Sequence, residues 1–313
     1  MNEVLRTDME RTFPRTVEIT QCPLCKSGSN SHVFFETHSG ESGEDQYLIC
    51  EDCSLVFQSP RLSQEDLNSF YSSQYRVLVQ GSEEPIDKDL RIQHARALNL
   101  LRFVKAKIPS VSYCLDIGSS TGILLKKFKQ AYGCEILGVE PGDSYREYSN
   151  NLGIRSVESM EDIEPTLGRS FDLIVMAHTL EHLPDPIRYL EELKARWLTP
   201  DRYILIEVPN LYGHDALELA HLTAFTPKTL KNTLRKAGFE IVKVRTHGKP
   251  RSLIIPLYIT ALAQGASKQN QIPVFHGGSQ GVKFRRWIGQ FWNRFATKFL
   301  TRWAWLPWPE VEI

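Results

Sequence analysis

The stretch Leu115-Asp116-Ile117-Gly118-Ser119-Ser120-Thr121-Gly122 decides the fold of this chain. An apolar strand ends in an acid, turns through small residues and enters a helix predicted over Ile123–Ala131. Small residues let a backbone approach a ligand closely, and the first turn of a helix offers N–H groups without a partner inside the helix. The next predicted strand, Glu135–Val139, delivers Glu140, a carboxylate that can accept hydrogen bonds from both hydroxyls of a ribose. The sequence therefore predicts a βαβ unit that binds a nucleoside-containing ligand.

The spacing of the glycines separates two such ligands. A dinucleotide fingerprint needs three glycines in the order G-x-G-x-x-G, so that a pyrophosphate can rest on the helix N-terminus. Here only Gly118 and Gly122 are glycines, with Ser120 between them. An NAD-dependent oxidoreductase is therefore the weakest of the alternatives.

Strands and helices alternate through the middle of the chain, which indicates a mainly parallel sheet with helices on both faces. We predict an α/β, Rossmann-like, doubly wound fold. Besides the unit above, the predicted elements are Asp87–Ile108 (helix), Val111–Ile117 (strand), Ser144–Asn151 (helix), Phe171–Met176 (strand), Pro186–Trp197 (helix), Tyr203–Val208 (strand), Lys228–Lys236 (helix) and Glu240–Val244 (strand).

Several of these blocks resemble the class I S-adenosylmethionine (SAM) methyltransferases. The spelling D-x-G-x-x-x-G at Asp116–Gly122 resembles motif I of that family, and Val139-Glu140-Pro141 is similar to the acidic tip of its second strand. The blocks Phe171–Met176 and Ala177–Leu183 are similar to its fourth strand and the loop that follows. The resemblance runs from Ile86 to Thr246 and implies SAM as the cofactor.

The resemblance also implies which residues hold SAM, with the small loop at the methionine part, Glu140 at the ribose and the stretch after the third strand beside adenine. The predicted cofactor-binding residues are Asp116, Gly118, Ser119, Ser120, Gly122, Glu140, Pro141, Glu158, Ser159, Met160, Ala177 and His178.

Histidines and an acid gather after the fourth strand, where the methyl group would lie. A histidine titrates near neutral pH and can remove a proton from an acceptor. The run Leu180–Pro186 resembles a loop that is widespread in the family. In its zinc-ribbon-headed sugar C-methyltransferases the Glu-His pair is associated with catalysis, together with a tyrosine that precedes the core; the alternative is that Glu181 and His182 only orient the loop. The predicted catalytic residues are His182, Glu181, His178, Tyr75 and Tyr71; His221 is either near the acceptor or a packing residue.

Four of the six cysteines have the spacing of a metal site. Cys22-Pro-Leu-Cys25 and Cys50-Glu-Asp-Cys53 are two C-x-x-C turns separated by short predicted strands, Val33–Glu36 and Tyr47–Ile49. Four thiolates can surround one tetrahedral zinc ion and leave no position for water, so we predict structural rather than catalytic zinc. So small a ribbon needs the metal in order to fold.

The composition excludes other classes of protein. The chain has 313 residues, 42% of them hydrophobic and 24% charged, and its formal net charge is zero, so no net positive charge attracts nucleic acid. Acids outnumber bases around the ribbon, which argues against a phosphate-binding face. We expect a cytoplasmic protein, because the start has no apolar signal segment and no run is long enough to span a membrane.

The C-terminal segment is basic and aromatic. Between Arg251 and Pro307 there is no Asp or Glu, and aromatic residues recur from Phe284 to Trp303 at helical spacing. One interpretation is a helix that packs its aromatic face on the domain and leaves its arginines in solvent. The other is an interfacial helix that contacts a membrane or a lipid-linked substrate.

We therefore expect a zinc ribbon over residues 1–60, a SAM-dependent methyltransferase domain with N-terminal helices over 61–250 and a helical tail over 251–313. The tail is shorter than the C-terminal region of the sugar C-methyltransferases. The expected acceptor is a small or saccharide-like molecule, methylated at oxygen or carbon. The alternatives are an RNA methyltransferase and a non-catalytic SAM-fold docking module, and the oligomeric state stays open.

Overall fold

A computed structural model describes residues 17–40, 43–63, 65–67, 81–163, 170–214, 217–266 and 278–307. Its centre is a seven-stranded sheet in the order β6-β5-β4-β7-β8-β11-β10. The strands are β4 (Tyr113–Ile117), β5 (Glu135–Val139), β6 (Ser156–Val157), β7 (Phe171–Ala177), β8 (Leu198–Pro209), β10 (Phe239–His247) and β11 (Tyr258–Gly265).

The strand directions confirm the predicted fold class. The pairs β4–β5, β4–β7, β5–β6 and β7–β8 are parallel, so their carboxyl ends meet at one edge of the sheet. Strand β11 pairs antiparallel with both β8 and β10. The mainly parallel sheet therefore places the loops after β4, β5 and β7 side by side.

Helices cover the sheet and begin where local sequence favours it. The helices are α1 (Asp87–Lys105), α2 (Ile123–Tyr132), α3 (Asp143–Asn151), α4 (Pro186–Arg196), α5 (Pro227–Lys236), α6 (Ser279–Phe299) and α7 (Thr301–Ala304). The Asp185 carboxylate accepts from Arg188 N at 3.1 Å and caps α4, and Thr226 forms a capping box with Thr229 at the start of α5. Gly133 ends α2 in the left-handed conformation, which glycine adopts at little cost.

The small N-terminal sheet has the order β1-β2-β3-β9, where β1 is His32–Gly40, β2 is Gly43–Cys50, β3 is Val56–Gln58 and β9 is Thr223–Ala224. Its first three strands belong to the ribbon, and β1 and β2 are longer than the predicted Val33–Glu36 and Tyr47–Ile49. The fourth strand comes from the loop after β8, with Val56 paired to Ala224 and Phe57 to Thr223. The ribbon and the larger domain thus share one sheet.

The domain boundaries stay a prediction, but the segment 251–313 differs from the expected helical tail in one element. Its apolar stretch at Tyr258–Gly265 is β11, which lies inside the central sheet between β8 and β10. Periodicity alone cannot distinguish a short buried strand from a buried helix, which is why this strand was missed.

The orientation of α6 is the reverse of the interpretation that packed its aromatic face inward. Val282, Arg286 and Ala296 are its buried apolar and cationic positions, whereas Phe284 and Trp287 are 61% and 64% exposed. The buried guanidinium of Arg286 is satisfied by Glu36 Oε2 at 2.6 Å and by the carbonyl of Leu211 at 2.6 Å. Polar contacts on the inner side of α6 therefore leave its aromatic side facing outward.

Candidate active site

The backbone of the loop between β4 and α2 allows other groups to approach it closely. Gly118 and Gly122 have φ values of 76° and 72°, and Ser120 shares this left-handed conformation with a φ of 52°. A Cβ atom at Gly118 would lie 2.6 Å from Thr179 Oγ1, so the loop after β7 packs directly on it. The glycines of the motif are thus required by backbone conformation and by contact.

Glu140 lies at the tip of β5 and reaches the same loop. Its Oε2 accepts from the Ser120 N–H at 2.8 Å and its Oε1 from the Gly142 N–H at 3.1 Å. A carboxylate has about four acceptor positions, so these bonds leave capacity for further donors such as hydroxyls. The sequence-predicted loop and acid are therefore together in space.

Two buried polar atoms at this loop make no hydrogen bond to any described residue, Asp116 Oδ1 and Ser119 Oγ. Burial raises the pKa of Asp116 well above its usual range, and nearby Glu140 adds to the shift. The neutral form of Asp116 is thus favoured, and in that form the carboxyl group can donate as well as accept a hydrogen bond. Unsatisfied groups of this kind beside a glycine loop fit a polar ligand such as the methionine and ribose parts of SAM.

The remaining cofactor candidates line the same edge of the sheet. Glu158 follows β6 and lies 3.7 Å from Arg146, and Ser159 caps the short helix Met160–Asp162. The Arg146 guanidinium also donates to the carbonyls of Glu140 (2.9 Å) and Pro141 (3.0 Å), which links this stretch to the tip of β5. Ala177 ends β7. Their contact with a cofactor stays a prediction.

Gln93 on α1 was missed by the sequence reasoning. Its side-chain amide donates to Ser120 Oγ at 3.1 Å and its oxygen accepts from Thr121 Oγ1. This glutamine holds the loop from the side of α1. A lone glutamine on a helix carries no signal in the sequence that would identify this contact.

His178 sits between two buried carboxylates. Its Nδ1 is 3.4 Å from Glu181 Oε1 and its Nε2 is 3.6 Å from Glu207 Oε1. Burial and Arg96 lower the pKa of His178, but Glu181 and Glu207 outweigh them and raise it above the usual 6.5. The imidazolium form is therefore favoured, and His178 is suited to an ion pair rather than to the role of a base.

His182 has the opposite character. Its Nδ1–H donates to the Ala220 carbonyl at 2.8 Å, so its Nε2 carries the lone pair. Burial lowers the pKa of His182 to about 4 despite the nearby Glu181. The residue is therefore neutral at neutral pH, and Nε2 is ready to accept a proton or a hydrogen bond.

Glu207, near the end of β8, is a functional candidate that sequence reasoning missed. Its Oε1 is 3.2 Å from Arg96 Nε, and its Oε2 is 3.2 Å from His247 Nε2 and accepts from Thr260 Oγ1 at 3.0 Å. Burial alone raises the pKa of Glu207, but His178, His247 and Arg96 outweigh it and hold the pKa far below its usual range. An acid inside the apolar run Ile204–Val208 was the available signal.

The charges of this buried cluster balance. Burial raises the pKa of Glu181, yet His178 and His182 bring it down to about 2, so Glu181 and Glu207 are both anionic. Arg96 and the favoured imidazolium form of His178 supply the positive charges that face them. A balanced cluster avoids the large cost of an isolated buried charge.

A small polar cavity adjoins Glu181 on the side of the ribbon. It is lined by Glu181, Pro209, Asn210, Leu211, His214, His221, Thr223 and Ala224. Burial lowers the pKa of His214 to about 3, so this histidine is neutral. Glu181, His182 and His221 each offer a donor atom within 4.8 Å of the others, close enough to hold one cation or one polar group.

The ribbon positions the loop that carries His221. Tyr47 on β2 is fully buried, and its hydroxyl lies 2.7 Å from the carbonyls of both Glu218 and His221. The ring of His221 lies 5.0 Å from that of His182, between ring centroids. The ribbon therefore supports one wall of the polar cavity. Tyr71 and Tyr75, the other predicted catalytic residues, lie outside the described residues.

The four ribbon cysteines come together as predicted. The Sγ atoms of Cys22 and Cys53 are 3.5 Å apart, as are those of Cys25 and Cys50, and all four lie within 4.8 Å of one another. Tetrahedral zinc with Zn–S bonds of about 2.3 Å requires S–S distances of about 3.8 Å. The other thiols raise the pKa of Cys53, so a cation is needed for all four to ionise. The donor set fits zinc.

The fold and the loop together define a class of protein. The strand order, the antiparallel β11, the glycine loop after β4 and the acid at the tip of β5 are those of the class I SAM-dependent methyltransferases. Residues 89–244 match the family model described as "Methyltransferase domain", and this half of the chain belongs to that family.

Two curated relatives share this region. One is the C-methyltransferase NovU of Streptomyces niveus, 27% identical over 167 residues, which are 50% of this chain and 39% of NovU. Another is the tRNA U34 carboxymethyltransferase of Nautilia profundicola, 29% identical over 145 residues, which are 41% of this chain and 48% of that enzyme. The chain thus matches less than half the length of each.

Among solved structures, Burkholderia thailandensis 1,6-didemethyltoxoflavin-N1-methyltransferase, with bound 1,6-didemethyltoxoflavin and S-adenosylhomocysteine, has a TM-score of 0.52. It is 19% identical, and the match covers 69% of this chain and 97% of that one. At this identity the likeness confirms the fold.

Proposed function

We propose that this protein transfers a methyl group from SAM to a small or saccharide-like acceptor, at oxygen or at carbon. The observation that carries the proposal is that the Gly118 loop, which binds Glu140, packs on the loop after β7 that carries Glu181 and His182, at one edge of the sheet. When bound, SAM supplies a methyl group that its sulfonium charge makes reactive, so orientation and proton removal are what remains for the protein.

The chain's own residues divide that work. The loop, Asp116 and Glu140 hold the cofactor, and His182 Nε2 accepts a proton from the acceptor. Glu181 lies 4.0 Å from His182 Nε2 and stabilises the charge that His182 gains. His178 and Glu207 fix Glu181 in place through the balanced ion pairs.

A small polar acceptor is favoured by the walls of the cavity. Thr223 Oγ1 is buried without a hydrogen-bond partner among the described residues and lies with His214 beside Glu181, which suits an acceptor that brings a hydroxyl to this wall. The ribbon covers this side through β3 and β9. Zinc in the four-cysteine site is structural in this proposal, and it maintains that cover.

An RNA acceptor is the second candidate, because a tRNA carboxymethyltransferase is among the relatives. Three basic residues of α6 could contact RNA, but Arg286 is buried against Glu36 and Lys283 donates to the Phe34 carbonyl at 2.7 Å. Arg285 is exposed. Because the other two cations already have partners within the protein, we favour the small acceptor.

The first experiment measures SAM binding by calorimetry. Glu140→Ala removes a charged acceptor for the ribose and is expected to weaken binding by about 1–3 kcal/mol, whereas Glu147→Ala, an exposed acid on α3, leaves it unchanged. Equal affinity of both variants would show that the ribose is not at Glu140.

The second experiment measures transfer of a labelled methyl group to a panel of hydroxylated metabolites and sugars, with tRNA as the comparison. Transfer to a small acceptor supports the proposal. Salt-sensitive RNA binding with transfer only to tRNA would replace it, and SAM binding without turnover on any acceptor would indicate a docking module.

Localisation is part of the proposal. Among the described residues no helix is long and apolar enough to cross a membrane. We propose a cytoplasmic protein that associates with the inner face of a membrane through its C-terminal segment, supported by the outward aromatic side of α6.

A further inference from the structure

An apolar surface of unusual size stands on α6. Its large side chains recur every three or four residues along the outward side of the helix. We call this set the aromatic face; it consists of Phe284, Trp287, Ile288, Phe291, Trp292, Phe295 and Phe299 on α6 and of Trp303 on the adjoining α7, each between 37% and 64% exposed. At about 100 Å² for each half-exposed ring, the seven rings of the face present about 700 Å², more than the roughly 300–600 Å² of the largest patch on a typical monomer.

The outward orientation is fixed by hydrogen bonds on the opposite side. Arg286 and Gln290 both donate to the carbonyl of His214, at 3.2 and 3.1 Å, and Asn293 donates to that of Gly213 at 2.9 Å. A Cβ atom at Gly289 would overlap the Tyr212 carbonyl, so the helix lies directly on that backbone. The aromatic face is therefore held away from the domain.

The rings of the aromatic face also pack on one another. Phe284, Trp287 and Phe291 form a stacked row with centroid separations of 6.2 and 6.1 Å, and Phe295 and Phe299 continue it at 5.0 Å. The indole N–H of Trp292 donates to the Ile254 carbonyl at 3.0 Å. A continuous apolar ridge results, rather than scattered single side chains.

The charges beside the ridge select its partner. The exposed cations on and around it, besides Lys283, which donates to Phe34, are Arg285, Arg294, Lys298 and Arg302, and the sequence contains no acid between Arg251 and Pro307. A second copy docked face to face would bring these cations together without carboxylates from this segment to pair with them. A surface of anionic phospholipid supplies phosphates for the cations and an interfacial layer that suits Trp and Phe.

We propose that the aromatic face of α6 binds the surface of an anionic phospholipid bilayer, with the rings in the headgroup and upper acyl region and the flanking cations on lipid phosphates. The proposal deepens the peripheral localisation above and is independent of methyl transfer. The helix lies on the bilayer and does not cross it.

The test is flotation of the full-length protein with vesicles of phosphatidylcholine alone and of phosphatidylcholine mixed with phosphatidylglycerol. The expected result is binding to the mixed vesicles that weakens with salt, little binding to the neutral ones, and a blue shift of tryptophan fluorescence on binding.

The double variant Trp287→Ser/Phe291→Ser removes about 200 Å² of exposed apolar area and should reduce vesicle binding by about a hundred-fold or more. The matched control, Leu152→Ser/Val242→Ser, changes exposed apolar residues elsewhere and should bind as the wild type does. Circular dichroism melts confirm that both variants fold, since the altered side chains are exposed.

Three outcomes would overturn the inference. They are no flotation with the mixed vesicles, equal flotation of the two double variants, and a wild-type dimer in sedimentation that Trp287→Ser/Phe291→Ser dissociates while lipid is ignored. The last would assign the face to a second copy of the chain. SAM calorimetry is measured separately, so failure here leaves the proposed methyl transfer standing.

Discussion

Replacing Glu207 by glutamine tests the buried charge cluster most directly. The variant keeps the shape of the side chain and the acceptor for Thr260, but it removes the charge that faces Arg96 at 3.2 Å and His247 at 3.2 Å. Removing one partner of a buried ion pair costs about 3–5 kcal/mol. Because the Arg96 side chain is 20% exposed and water reaches it, we expect the lower end of that range, about 3 kcal/mol.

The assay is urea unfolding of the wild type, Glu207→Gln and Glu240→Gln. Glu240 is an exposed acid on β10, so its variant should stay within about 0.5 kcal/mol of the wild type. Equal unfolding free energies for all three proteins would show that the cluster contributes nothing and that its charges are not as described.

The pH dependence provides a second readout of the same variant. The pKa of His178 is raised in the folded protein, so its contribution to stability is present below its unfolded pKa of about 6.5 and is lost as pH rises through the higher folded value. Glu207→Gln removes one cause of that shift. Its stability deficit should therefore be larger at about pH 6 than at about pH 9, and NMR should show a lower pKa for His178. A pKa that does not move would refute the reasoning.

Further predictions concern the zinc, the base and the link between ribbon and cavity. Metal analysis should find about one zinc ion per chain in the wild type and none in Cys53→Ser. Iron in the wild type, or no metal at all, would contradict the zinc site. His182→Ala should retain SAM affinity and lower turnover by about 10²–10⁴-fold, and a normal rate would remove it from the mechanism. Tyr47→Phe should cost about 1–3 kcal/mol of stability and slow turnover without changing SAM affinity, because two loop carbonyls lose a buried donor. Tyr203→Phe is its control. Equal stability and equal turnover of the two variants would show that the ribbon does not support the cavity.

Local signals were sufficient for the βαβ unit that we propose as the cofactor site. The glycines of Asp116–Gly122 are required by backbone conformation, and a run such as Glu135–Val139 has the length and flanking residues of a buried strand, so the prediction and the structure agree on its bounds. The two C-x-x-C pairs likewise carry their geometry in their spacing. In each case the interaction lies within a short stretch of sequence.

Contacts between distant parts of the chain explain what sequence reasoning missed. The orientation of α6 depends on the ion pair between Arg286 and Glu36, two residues that are far apart in the sequence. The role of Glu207 depends on Arg96 and His247, which come from α1 and β10. Patterns along one segment contain no information about such partners.

The pairing of β3 with β9 limits how this protein can be recombined. Thr223–Ala224 supplies the edge strand of the ribbon's sheet, so the last strand pairing of the ribbon is made with the larger domain. A chimera that exchanges only the cysteine-containing ribbon would pair a foreign β3 with the original β9. The smallest unit that can be exchanged therefore includes the ribbon together with the stretch around His221. The ribbon and the loop that carries His221 should accordingly have been inherited together.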